Sequence, residues 1–385
     1  MLRKLVRLSL AVALLCVASG ALRAAEGISD SEVVFVQIAA MNGSAASLGQ
    51  GMSQGLRAAF DEVNRAGGVE GRKLRLDPID DGYDPSQSIA ALRRVIHAND
   101  RLALIGATGT PTLAALQPAA TQAGLPVIGP FTGAAFLRNA ALGNVFNLRA
   151  SYAAEAEEWA HVLVDQRGLK RIAIFYQDDS FGRAGRSGLV QALHKRGLAL
   201  AAEGTYMRNT TAVKSALIDI RRAHPDAIVF VAAPKALARF VTTAQSLDFQ
   251  PQMISISFGA DSIAQELGQK GTGLLMTQVV PFPGDESLPV VTQYRAALTA
   301  LDPAVKPSFI NLEGYLVGRL AIEALRQTGR DLTRARYLAT LRSMTEVELG
   351  GLKLTFSGSD NQGLDQVFLT RIDEAGRVVP VAGGF

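Results

Sequence analysis

Cysteine is almost absent: the 385 residues contain one, Cys16. It sits in a leader that is expected to be removed, so the mature chain has no disulfide to brace it and must stand on its core. Histidine is scarce as well. His97, His161, His194 and His224 are scattered, none with a partner at the spacing a metal site needs, and no metal is expected. No G-x-G-x-x-G or Walker loop occurs, which leaves no sign of a nucleotide cofactor. A Ser/Gly-rich linker and a repeat of solenoid period are also missing. So is an excess of charge, once the leader is discounted. The chain carries 39 basic and 35 acidic residues, and Arg3, Lys4, Arg7 and Arg23 all belong to the leader. The remainder is neutral, so the basic pI of about 9.2 points to no nucleic-acid partner.

The leader is residues 1–25. Its basic start, the apolar run from Leu8 to Val17 and the small residues around Ala21 to Ala25 read as a signal peptide, cleaved near Ala24 or Ala25. The run is short for a membrane span. Leu15, where a lipid-anchored chain wants a small residue, argues against lipidation at Cys16.

The rest is long enough for two domains. Val33 to Ala39 reads as a buried strand, followed by a polar loop from Asn42 to Gln50. A helix then carries Met52, Leu56, Ala59, Phe60 and Val63 on one face. Lys73 to Asp77 alternates as a strand, and Pro85 opens a helix after the loop Asp80 to Asp84. Leu102 to Ile105 is the next strand. It breaks into Gly106-Ala-Thr-Gly-Thr110, and Pro111 starts another helix. Pro126 to Ala134 repeats this design, a short apolar strand running into a Gly/Pro/Thr loop. In α/β sheets ligands sit at the carboxyl ends of strands, and a helix N-terminus there favours an anion. Two such loops side by side could hold one carboxylate, with Thr110 adding a hydroxyl.

After a strand at Val145 to Leu148 the β-α pattern restarts. Ser151 caps a helix to about Gln166, and strands follow near 171–176, 203–206, 227–231, 253–256 and 274–280. Long helices are expected near 288–301, 309–328 and 333–344, and a β-rich end from Leu352. Two α/β units without a linker suggest lobes joined by several crossings around a cleft. Gly51-Met-Ser-Gln-Gly55 spells the G-x-S-x-G of hydrolases, but that motif needs its serine directly after a strand, and Ser53 falls within a helix. Glu155, Glu157 and Glu158 open a helix, where acidic side chains are favoured anyway. No catalytic constellation survives, and the chain is not expected to be an enzyme.

Five segments in order carry a resemblance: Asn42-Gly-Ser-Ala-Ala-Ser-Leu-Gly49, Ala66-Gly-Gly-Val-Glu-Gly71, Asp80-Asp-Gly-Tyr-Asp-Pro85, the Thr110 loop and Ser180-Phe-Gly182. Together they resemble the periplasmic leucine/isoleucine/valine-binding proteins, the substrate-binding components of ABC importers. The likeness runs from about Ile28 to the end. It implies a type I periplasmic binding fold of two Rossmann-like lobes joined by three crossings, near 148–151, 274–277 and 350–355. Lobe 1 would be 28–148 plus 276–353, and lobe 2 would be 149–275 plus 354–385.

By this resemblance Thr110 binds the ligand carboxylate, and Phe131, Thr132 and Gly133 form the second carboxylate loop. Leu48 and Phe181 pack on the ligand from opposite lobes. Tyr83 and Gly109 stand where some members have a disulfide, with a ring against a glycine filling the space. Phe258 falls where the family places a glutamate against the ligand ammonium, and a phenyl ring offers at most a cation–π contact. Glu313 and Asp261 are the candidate substitutes, although Glu313 also suits a helix start. The resemblance implies a monomeric periplasmic protein that closes on a small carboxylate or an aliphatic or branched-chain amino acid and hands it to a membrane ABC permease. The alternatives are a binder of an aromatic or other organic acid lacking an ammonium, or a ligand sensor feeding a signalling partner.

Overall fold

The computed structural model describes residues 25–356 and 360–381; the expected signal peptide lies outside them except for Ala25. In the first lobe β1 (Glu32–Ala39), α1 (Ala46–Arg65), β2 (Lys73–Asp80), α2 (Pro85–Ala98), β3 (Leu104–Ile105), α3 (Thr110–Gln122), β4 (Val127–Ile128) and β5 (Val145–Phe146) follow in turn. They form a parallel sheet of order β2-β1-β3-β4-β5. β1 is buried along nearly its whole length, as befits a central strand with helices on both faces. β2 alternates between exposed and buried residues and holds Pro78, which the sheet edge tolerates.

The second lobe repeats the scheme. α4 (Tyr152–Ala160) runs on as a π-helical turn to Gln166. Then come β6 (Ile172–Gln177), α5 (Ser180–His194), β7 (Ala202–Tyr206), α6 (Lys214–Arg222), β8 (Ala227–Val231), α7 (Pro234–Gln245), β9 (Gln252–Ser255), α8 (Ala260–Leu267) and β10 (Leu275–Gln278). The chain crosses back for α9 (Pro289–Leu301), α10 (Phe309–Thr328) and α11 (Arg334–Ser343), then forms the hairpin β11 (Glu346–Glu348) and β12 (Lys353–Thr355). It returns once more for β13 (Phe368–Ile372) and β14 (Val378–Pro380), antiparallel additions that complete a sheet of order β14-β13-β10-β9-β8-β6-β7.

Two crossings differ from the sequence expectation. β10 pairs with β9 and β13, so the second crossing follows Gln278 rather than lying at 274–277. The third lies between Leu364 and Phe368 instead of at 350–355. Before it, Gly363 and Leu364 donate to the carbonyls of Asn147 and Leu148 at 2.9 Å each, and Asn361 bonds Leu137 and Val145. Buried asparagine side chains thus hold this stretch against the first lobe.

α10 packs directly on α1, and glycines allow it. A Cβ on Gly55 would lie 1.9 Å from the Asn311 carbonyl oxygen, and one on Gly51 2.9 Å from Ile310 Cγ2. The G-x-S-x-G spelling is therefore a helix-packing face, with small residues at i and i+4. It fixes the N-terminal turns of α10, and with them Glu313, beside the crossings.

Candidate functional site

The carboxyl ends of the two sheets face each other across a nearly closed cleft that encloses about 20 Å³. Its wall is Leu48, Tyr83, Thr108, Gly109, Thr110 and Phe131 from the first lobe, Tyr152 at the first crossing, and Gln177, Phe181, Ala232, Ala233 and Phe258 from the second. None carries a formal charge at neutral pH.

Each wall element has a local cause. Asp84 caps α2 through the N–H groups of Ser86 and Gln87, and the buried Asp81 carboxylate accepts from Tyr83 N (2.9 Å) and Ser88 Oγ (2.7 Å). This turn holds Tyr83 at φ +58°. Its ring lies against Gly109, where a Cβ would be 2.3 Å from Tyr83 Cε2 and φ is +104°. The ring-on-glycine packing expected from the sequence is what the structure shows. Gly109 precedes α3, whose first N–H groups have no intrahelical partner. Pro111 removes one of them, and Thr112 Oγ1 ties the turn by donating to the Thr108 and Gly109 carbonyls at 2.5 and 2.8 Å.

At this end of the cleft three hydroxyls form a triangle: Thr110 Oγ1 to Thr132 Oγ1 at 2.7 Å, Thr110 to Tyr152 at 3.1 Å and Thr132 to Tyr152 at 3.0 Å. Thr132 and Gly133 stand behind the wall. Ala134 N donates to Thr132 Oγ1 at 3.2 Å, and Gly133 leaves no room for a Cβ beside the Tyr152 ring. Above the triangle sits an aromatic cluster. Phe258 meets Phe131, Phe181 and Tyr152 edge-on at 4.9, 5.4 and 6.0 Å, which joins rings from both lobes. At the opposite end Gln177 donates to Asp179 (2.6 Å) and lies 3.4 Å from Tyr83 OH, and Tyr206 OH donates to Gln177 Oε1.

Charge lies behind the aromatic wall. The fully buried Arg149 guanidinium is sandwiched between Phe131 and Phe258, 4.6 and 4.4 Å from the ring centres. Its Nη2 donates to Ser257 Oγ at 2.7 Å. Nε lies 3.2 Å from Glu313 Oε1, an ion pair without hydrogen-bond alignment, and Nη1 has no hydrogen-bond partner among the described residues. Glu155 accepts from Ser257 N (2.9 Å), Ser257 Oγ (3.0 Å) and Thr277 Oγ1 (2.5 Å). Burial pushes Glu313 up to about 7 against the pull of Arg149, and raises Glu155 in the same way. Arg138 binds the carbonyls of Thr132, Ala134, Arg149 and Ala150, which fastens the first crossing.

Of the residues singled out in the sequence, Leu48, Tyr83, Thr110, Phe131, Phe181 and Phe258 come together on the wall. Glu313 does not: it is on Arg149. Asp261 accepts from Phe309 N at 3.1 Å, where burial raises it to about 6. Neither substitutes for the missing glutamate at position 258. Glu155, read as an ordinary helix-start acid, is wholly buried. It shares a stripe with Tyr152, Ala156 and Trp159, the i, i+3, i+4 spacing that marks an inward face. That stripe was the available signal for both Glu155 and Tyr152. Gln177 and the alanines at 232 and 233 had none beyond their place at strand ends. The four histidines are all exposed, and no metal-holding group of His, Cys, Asp and Glu occurs among the described residues.

Comparison with known proteins agrees with this architecture. The chain is 22% identical over 341 residues to Leu/Ile/Val-binding protein homolog 7 of Brucella abortus, covering 82% of each. A crystal structure of a possible leucine/isoleucine/valine-binding protein from Rhodopirellula baltica superposes with a TM-score of 0.87 at 33% identity, over 91% of this chain and 96% of that one. A substrate-binding periplasmic protein from Ralstonia solanacearum gives a TM-score of 0.85 at 27% identity, over 91% of this chain and 100% of that one. The sequence profile of the periplasmic binding protein family matches residues 32–377. With two lobes built on mostly parallel sheets, three crossings and a cleft between them, the chain belongs to the periplasmic binding protein family, in its type I fold.

Proposed function

We propose that this protein is the exported substrate-binding component of an ABC importer, and that its ligand is a small carboxylic acid with an aromatic or apolar body and no ammonium group. One observation carries the ligand class: the cleft wall holds hydroxyls, an amide and five aromatic rings, but no carboxylate. A ligand ammonium enclosed there would lose its water without gaining a counter-charge, a cost of several kcal/mol. A carboxylate fares better, because neutral O–H donors and the N-terminus of α3 face it. The rings then pack on the apolar body from both lobes. Binding by closure follows, since the wall is built from residues of both lobes, and the closed surface is what a permease would distinguish from the open one.

A second reading, a branched-chain or other aliphatic amino acid, is favoured by the likeness to the Brucella Leu/Ile/Val-binding protein homolog and the possible leucine/isoleucine/valine-binding protein of Rhodopirellula. A thermal-shift screen separates the two. The protein is stripped by unfolding and refolding, then offered leucine, isoleucine, valine and phenylalanine beside the same skeletons without the amino group. Binding to the native state raises the melting temperature by mass action. The proposal expects shifts with the deaminated acids, and shifts confined to the amino acids would refute it.

A further inference from the structure

We propose that Tyr152 is a specificity-determining residue of the cleft, its hydroxyl joining that of Thr110 as a pair of donors that receive one ligand carboxylate. This builds on the reading of the ligand as a carboxylate, with or without an ammonium. The triangle of Thr110, Thr132 and Tyr152 has three O–H hydrogens for three oxygen–oxygen contacts, so it is satisfied by itself. Thr110 and Tyr152 are on the cleft wall, and Thr132 is behind them. When an anionic acceptor arrives, the two wall hydroxyls can each turn a hydrogen toward it. Thr132 then gives its own hydrogen to the Thr110 oxygen while still accepting from Ala134 N. No oxygen is left without a partner in either state. Burial raises the Tyr152 phenol above its ordinary value, so it remains a donor throughout the neutral range.

The ring is held so that only the hydroxyl's torsion is free. Its main-chain N–H donates to the Gly133 carbonyl at 2.8 Å, Gly133 closes one face, and Phe181 and Phe258 close others at 5.8 and 6.0 Å. A tyrosine that needed only to bury its hydroxyl would be satisfied by Thr132 alone. Sharing with the wall residue Thr110 is what a receiver requires.

The test is Tyr152→Phe, which keeps the ring and leaves the Thr110–Thr132 bond in place. The stripped wild type is titrated calorimetrically with the acids and amino acids of the panel above. The tightest is then compared with its carboxamide in wild type and variant. The expected result is a loss of at least about tenfold for the carboxylate and less than about threefold for the amide, because a bond to an anion is the stronger one. Equal loss for both, or no loss, overturns the proposal. Tighter carboxylate binding by the variant overturns it too, and would mean that the phenol stands where the ligand group belongs. If only amino acids bind, the proposed ligand class fails, while Tyr152 is still tested on leucine against leucinamide. If neutral compounds bind and no carboxylate does, both fall.

Discussion

Two regions back to back, the cleft wall and the cluster beneath it, share the rings of Phe131 and Phe258 and differ in almost everything else. On the cleft side the polar groups of the wall are hydroxyls that can turn and an amide held by Asp179 and Tyr206, all free of formal charge. On the far side are Arg149, Glu313 and Glu155, all buried, tied to residues of both lobes and of the crossings. The difference teaches where charge is useful in a closing protein. A buried ion pair is costly to form and more costly to break, so it suits a joint that always holds the same partners. A site that must release its ligand is better served by neutral groups that are satisfied with or without it.

The most damaging way to break this division is Arg149→Leu. It leaves Glu313 and Glu155 buried without their cation and removes the plate between the two rings. Urea unfolding should show a loss of about 3–5 kcal/mol, the usual effect of orphaning a buried charge. A loss within the error of wild type would show that the cluster is not a structural joint.

Acidity sharpens the comparison next, because Glu313 of the cluster, and Asp261 at the start of α10, are raised toward neutrality, while burial moves the tyrosines of the wall away from it. Burial holds Glu313 at about 7 and Asp261 at about 6 in the folded state, above their values in the unfolded chain. The folded state therefore keeps protons that the unfolded state has released. The associated stability is complete below about pH 4.5 and is lost as pH rises through 7, roughly 3 kcal/mol for Glu313. Melting temperatures should accordingly fall between pH 5 and pH 8, and Glu313→Gln should flatten the slope. An unchanged slope in that variant would place the titration elsewhere.

Thr110→Ala acts on the other side. It should weaken binding of a carboxylate by about 1.5–3 kcal/mol, the worth of a hydrogen bond to a charged group, with urea stability within about 1 kcal/mol of wild type. A loss of stability without a loss of affinity would reverse the roles assigned to the two regions. The smallest effect is expected at the cleft mouth, where Asn209 bonds Ser44 (3.0 Å) and the Gly82 carbonyl (3.2 Å) across the lobes. Asn209→Gly keeps the positive φ of 62° and removes both bonds. Since these groups are exposed, affinity should fall by no more than about 1 kcal/mol, with a larger open fraction in solution scattering. No change in either would mean that the mouth contributes nothing to closure.

Much of this was legible beforehand, for identifiable reasons. The strand expected near 227–231 and the helix expected near 309–328 coincide with β8 and α10, because a five-residue apolar run and a Ser-capped periodic helix leave few alternatives. The Thr110 and Phe131 loops were legible because Gly, Pro and Thr punctuate strand ends. The joint was not. Arg149 follows an apolar strand with no periodicity to mark it as buried, and its partners Ser257 and Glu313 are more than a hundred residues away. The crossings were misplaced for a similar reason: β10 looks the same in either lobe, and only its pairing with β9 and β13 assigns it.

The central claim is that a neutral cleft takes a carboxylate and refuses an ammonium. The most direct test is a paired calorimetric titration of the stripped wild-type protein with each α-amino acid and its deaminated counterpart at pH 7. Within the best-binding pair the deaminated acid is expected to be the tighter ligand, by tenfold or more. An amino acid binding tenfold more tightly than its deaminated twin would contradict it, and would require a carboxylate to reach the cleft.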